Sequence, residues 1–204
     1  KELVHHFNDS EARTLITLNL LWKRISGLRD KLHLRRIFVT SIADCLGFPL
    51  NFLYTLKSRR EYKLEPIPYD GRTVLPWKGL LRRTAFQDPH PVDPVKDLAA
   101  LQYTGGTTGV SKGVMLTHAN LCYNAQQAKA VLHTIKETGE TILGLLPFFH
   151  IYGLTVCVNF GTIIGATLVP MAKFVPLDVL KTIHKKRPTI FPCAPSIFIA
   201  LLQQ

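Results

Sequence analysis

The sequence predicts an α/β fold: a layered, largely parallel sheet with flanking helices. Short apolar strand-like runs alternate along the chain with helical patterns, the order that builds a parallel sheet covered by helices. Some of those runs, Leu143 to Leu146 among them, are continuously apolar instead of alternating, as strands buried on both faces are. At 204 residues, 47% of them hydrophobic and 19% charged, the chain can build a sizeable core and is not composed like a disordered protein.

Strands are expected at Thr14–Leu18 and Arg36–Ser41, separated by a helix over Leu20–Lys31. Residues 43–96 break the rhythm, because prolines recur and hydrophobic periodicity is weak. That stretch reads as a long irregular excursion with one short helix at Trp77–Arg82. Strands follow at Leu98–Thr104 and Val114–Leu116, and then a helix over Ala119–Ile135 that Thr117 is placed to cap. A strand at Thr141–Leu146, a core helix over Tyr152–Ile164 and a strand at Ala166–Val169 come next. Pro176 is placed to start a helix over Leu177–Lys186, and Thr189–Pro192 reads as a last strand.

Thr141 to Ala172 holds no Asp, Glu, Lys or Arg, and Ile151 to Pro170 has the length of a membrane span. Asn159, the glycines at 153, 161 and 165, and the prolines at 147 and 170 cut the run into pieces of globular size. A buried core is therefore the expectation over a membrane helix.

The 25 basic and 14 acidic residues leave a net charge of +11. The excess lies in short scattered clusters such as Lys23-Arg24, Arg59-Arg60 and Lys185-Lys186-Arg187, without the interleaved aromatics of a nucleic-acid platform. No nucleic acid is expected as a partner. Cys45, Cys122, Cys157 and Cys193 form no C-x-x-C pair, which argues against a zinc or redox motif and suggests a reducing, cytoplasmic setting. Cys193 has no activating neighbour in the sequence and reads as a small packed residue.

The richest local chemistry lies at Thr104–Gly113, which reads TGGTTGVSKG. Glycines let backbone N–H groups approach an anion closely, while hydroxyls and a lysine add donors and charge. Thr104, Thr107, Thr108 and Ser111 offer hydroxyls, Gly105, Gly106 and Gly109 offer open backbone, and Lys112 offers a full charge. A Walker A loop would need glycine where Ser111 stands and Ser or Thr where Gly113 stands. With a strand expected on either side, no helix N-terminus backs the loop. It is expected to clamp phosphate through amides, hydroxyls and Lys112.

With Tyr103 before it and Met115-Leu116-Thr117-His118 after it, this loop resembles the phosphate-loop signature of the adenylate-forming superfamily of acyl-CoA synthetases, luciferases and peptide-synthetase adenylation domains. The likeness is greatest to bacterial long-chain fatty acid–CoA ligases. Leu146-Pro147-Phe148-Phe149-His150-Ile151-Tyr152-Gly153 resembles that family's Pro-aromatic-His-x-x-Gly element, and Val39–Asp44, Phe48–Asn51, Arg59-Arg60 and Pro188–Leu202 are also similar. Many members have Ser-Gly at Gly105-Gly106 and Pro at Ser111; both differences look like variants within fatty acyl ligases.

The resemblance implies a carboxylate activated by ATP with Mg2+ to acyl-AMP and pyrophosphate, followed by transfer of the acyl group to coenzyme A. It implies that His150 contacts the carboxylate or adenylate, and that Phe149, Tyr152 and Gly153 shape the acyl entrance. It further implies that residues 1–204 are part of a larger N-terminal AMP-binding domain, an internal fragment without a C-terminal domain. The metal-binding, ribose-binding and catalytic-lysine elements would then lie beyond Gln204, no metal ligand would lie within the chain, and the chain alone would be inactive. Peripheral membrane association is compatible with such a protein. The alternatives are an adenylating enzyme for an aryl or amino acid, or a truncated non-catalytic module that binds nucleotide.

Overall fold

The computed structural model describes residues 2–81, 90–105 and 110–204. It divides into two compact units: Lys1–Pro91 with Tyr103–Gly113, and Val92–Gln102 with Val114–Gln204.

The first unit opens with α1 (Glu2–Asp9), followed by β1 (Thr14–Leu18), α2 (Trp22–Ser26), β2 (Arg36–Thr40), α3 (Leu50–Tyr62), β3 (Val74–Pro76) and α4 (Trp77–Leu81). The three strands form one parallel sheet in the order β1-β2-β3, with Thr14 opposite Arg36 and Ile37 opposite Val74. Strand β2 lies at its centre and is covered on both sides. Ile37 and Val39 join Trp22, Ile25 and Val74 in one core cluster. The Phe38 ring instead meets Trp77 edge-on, with centroids 6.5 Å apart. Burial on both faces explains why this strand is apolar at every interior position.

The helix expected over Leu20–Lys31 is not continuous. A 3₁₀ turn at Asn19–Leu21, α2, and a second 3₁₀ turn at Arg29–Lys31 replace it. Gly27 follows α2 directly, and glycine is the residue that most weakens a helix interior short of proline. Among its described residues, the excursion over 43–96 is more ordered than its sequence suggests. The short helix expected at Trp77 is found as α4, though Arg82 lies outside the described residues. The surprise is α3, whose inward stripe is Asn51, Tyr54, Thr55 and a buried Ser58, while Phe52, Leu53 and Leu56 face outward. A helix with its polar stripe inward defeats a search for apolar periodicity.

Strand β4 (Leu98–Thr104), of which Leu98–Gln102 belongs to the second unit, pairs with β5 (Lys112–Thr117), of which Val114–Thr117 does, so the glycine- and threonine-rich loop does join two strands. Helix α5 (His118–Val131) follows at once. Thr117 caps it: Asn120 N–H donates to Thr117 Oγ1 at 3.3 Å, and Thr117 N–H donates to Asn120 Oδ1 at 3.0 Å. The helix ends before the expected Ile135 because a turn intervenes, with the Ile135 N–H donating to the Leu132 carbonyl at 3.1 Å. That turn sends Ile135 back onto the core.

Strand β6 (Thr141–Gly144) runs parallel to β7 (Thr167–Pro170). Ile142 packs into a cluster with Ala125, Cys157, Phe160 and Ile164, whereas Leu143 packs into another with Leu145 and Val179. Adjacent side chains therefore enter separate cores, as a two-sided strand requires. Between the strands run α6 (Ile151–Gly153), a six-residue π-helical segment at Leu154–Asn159, and α7 (Phe160–Ile163). Gly165 ends this run at φ +64°, a conformation open to glycine at no steric cost. The uncharged stretch is thus split into strand, helix and strand. No helix among the described residues is long and apolar enough to cross a membrane.

Helix α8 (Pro176–Lys186) begins on its proline as expected, and α9 (Pro195–Leu202) closes the chain. The strand expected at Thr189–Pro192 is instead a single bridge between Ile190 and Ile142. Pro188 and Pro192 lack the N–H groups a longer ladder would use.

Candidate functional site

The expected site residues fall into two groups, one in each unit. In the first, the neck of the loop is closed by a Ser111 Oγ–H that donates to the Thr104 carbonyl at 3.0 Å. Lys112 is the first residue of β5 and is exposed. It forms no ion pair among the described residues. Among the described residues, nothing lies within 4 Å of the position a Cβ on Gly105 would take. Gly106, Thr107, Thr108 and Gly109 lie outside the described residues.

Helix α1 supports this neck, a contribution that no local signal announced. His5 Nε2 lies 2.8 Å from the Ser111 carbonyl oxygen. Tyr103, just before the loop, stacks its ring on His6 with centroids 4.0 Å apart. Its hydroxyl lies 2.6 Å from Asp9 Oδ2, to which it donates. That hydrogen bond to a carboxylate, with burial and the Asp9 charge behind it, pushes the Tyr103 phenol pKa up.

In the second unit, Phe149, His150, Tyr152 and Gly153 gather at the start of α6. His150 is the helix N-cap, its Nδ1 accepting from the Tyr152 N–H at 3.2 Å. A ring nitrogen that accepts cannot carry the proton, so in the neutral ring Nε2–H is the donor. His150 is exposed, and its Nε2 makes no hydrogen bond among the described residues. It is therefore free to donate to an oxygen of a ligand. Phe148 turns into the core while Phe149 is 84% exposed. Gln102 Nε2 donates to the Phe149 carbonyl at 3.2 Å, tying the motif to β4 within this unit.

Beside Tyr152 lies an open apolar groove of about 640 Å³, walled by Ala128 and Val131 of α5, by Leu132 just after it, and by Ile151 and Val156. The α5 residues on this wall were not singled out in the sequence, because nothing in their spacing distinguishes a groove wall from a helix surface.

Burial pushes the Cys157 and Cys193 thiols up, away from the thiolate a nucleophile needs. Among the described residues no group of three His, Cys, Asp or Glu side chains is placed to hold a metal ion.

The family model described as "AMP-binding enzyme" matches residues 1–204. A long-chain-fatty-acid–CoA ligase of Bacillus subtilis (strain 168) is 38% identical over 204 residues, covering 98% of this chain and 36% of that protein. A second one, of Yersinia pestis, is 35% identical over 176 residues, covering 82% of this chain and 30% of its own. Among solved structures, a long-chain-fatty-acid-CoA ligase from Archaeoglobus fulgidus superposes with a TM-score of 0.67 at 29% identity, over 98% of this chain and 34% of that one. The chain therefore spans about a third of the length of these relatives.

Proposed function

The chain belongs to the AMP-binding enzyme family, and on that premise we propose that the protein it forms activates a fatty acid with ATP and transfers the acyl group to coenzyme A. A carboxylate oxygen attacks the α-phosphorus, and the bond to pyrophosphate breaks. The coenzyme A sulfur then attacks the acyl carbon and AMP leaves. Mg2+ would accompany the triphosphate and offset part of its charge.

One observation carries the reading: a glycine- and threonine-rich loop between two paired strands, with exposed Lys112 at its exit. Charge builds on the leaving pyrophosphate, so donors set in advance around it lower the barrier. In this reading Thr104, Gly105, Gly106, Thr107, Thr108, Gly109, Ser111 and Lys112 hold the phosphates. His150 Nε2–H donates to the carboxylate or adenylate. Since an ionised carboxylate needs no general base, its role is hydrogen bonding and not proton transfer. The groove beside Tyr152 supports an apolar acyl substrate.

The test is ATP–pyrophosphate exchange by the intact protein with fatty, aryl and amino acids supplied in turn. Fatty acids should drive exchange; exchange driven only by an aryl or amino acid would replace the substrate assignment. Lys112→Ala should weaken ATP use by about 10- to 100-fold, the loss of one or two charge-assisted hydrogen bonds. Unchanged kinetics in that variant would remove the phosphate role of the loop.

A further inference from the structure

We propose that α1 braces the phosphate loop by gripping both sides of its neck, and that His5 is a positioning residue acting on Lys112. The proposal rests on the reading of the loop given above. It starts from two attachments made by one helix to residues on opposite sides of the loop.

On the exit side, His5 Nε2 donates to the Ser111 carbonyl at 2.8 Å, across 106 residues of sequence. The Ser111 C=O and the Lys112 N–H belong to one planar peptide unit and point in opposite directions. A donor that fixes the carbonyl therefore fixes the plane from which the Lys112 Cα departs. On the entry side, Tyr103 is held by its 2.6 Å bond to Asp9 Oδ2 and by the ring stack on His6, whose carbonyl oxygen lies 3.3 Å from the same hydroxyl. Gly113 also lies against that ring; a Cβ there would sit 3.0 Å from the Tyr103 Cζ. The Ser111-to-Thr104 bond closes the neck between the two grips.

Helix α1 is itself anchored, because Leu3 packs against the Trp22, Ile25, Ile37, Val39 and Val74 cluster. The loop ends are thereby tied to the core of the first unit. A lysine whose backbone plane is set in advance loses less freedom when it meets an anion, so the advantage should be read in ATP affinity.

The experiment is a double-mutant cycle in the intact protein. Steady-state constants for ATP and for the acid are measured in wild type, His5→Ala, His5→Gln, Lys112→Ala and the His5→Ala/Lys112→Ala pair. His5→Ala should raise the KM for ATP by about three- to tenfold, the scale of one lost hydrogen bond. The KM for the acid should stay unchanged. His5→Gln, which can place an amide N–H near the Nε2 position, should recover most of the loss. In the Lys112→Ala background His5→Ala should add little, because a residue that acts through Lys112 is silent without it. An equal loss in both backgrounds, an equal effect on both substrates, or no effect of His5→Ala would overturn the brace. An unaffected Lys112→Ala would instead overturn the underlying loop reading. If His5→Ala fails to fold, Tyr103→Phe, which removes one hydroxyl, replaces it in the same cycle.

Discussion

Gly153 makes the closest approach to backbone of the glycines described. A Cβ there would lie 2.3 Å from the Pro147 carbonyl oxygen, which no rotamer change could relieve. Gly153→Ala should therefore destabilise the protein by about 1–3 kcal/mol or more, read as a lower urea midpoint at unchanged m. Gly139→Ala is the matched control, since its nearest neighbour would be an ordinary 3.8 Å contact with Lys136. The sequence motif marks Gly153 through its company, whereas the reason for the glycine, a carbonyl folded back onto it, appears only in the packing. His150 divides in the same way. Its residue type and motif were legible, but the use of Nδ1 as a helix cap, which leaves Nε2–H to face outward, depends on the local backbone.

The turn before β3 is organised by one carboxylate. Asp70 Oδ1 accepts from the N–H groups of Arg72, Thr73 and Val74 at 2.8, 2.7 and 2.9 Å. The Arg72 and Val74 amides, then that of Thr73 and the Arg29 charge, hold its pKa below the usual 3.8. A carboxylate with a lowered folded-state pKa contributes stability above its unfolded pKa and loses it as pH falls through the folded value. Asp70→Asn should lower the melting temperature at pH 7, and the gap to wild type should narrow below about pH 4. A gap of constant size across that range would show that the charge is not the cause. The Asp-Gly pair at 70–71 signals a turn in the sequence, but the strand it launches pairs with β2, and that partner is not locally encoded. Helix α3 is harder still to read: with Asn51 and Ser58 inward and Phe52 and Leu53 outward, its apolar residues point away from the packing that holds it.

The chain spans 36% of its Bacillus relative, and we expect the 204 residues by themselves to make no acyl-CoA. Purified chain should give no ATP- and fatty-acid-dependent loss of the coenzyme A thiol, while the intact protein should; turnover by the chain alone would contradict this. Local sequence was enough for the α/β class, the extents of β1 and β4, the start of α8 and the Thr117 cap. It also spells out the glycine, threonine, serine and lysine content of Thr104–Lys112 on which the proposed phosphate role rests. These are written in neighbouring residues, where side-chain period, capping and turn preferences act within a few positions. The break of residues 20–31 into short turns, the bridge from Ile190 to Ile142 and the reach of His5 to Ser111 come from the folded packing. Each of these outcomes depends on which surfaces meet across long sequence separations, where packing overrides local preference.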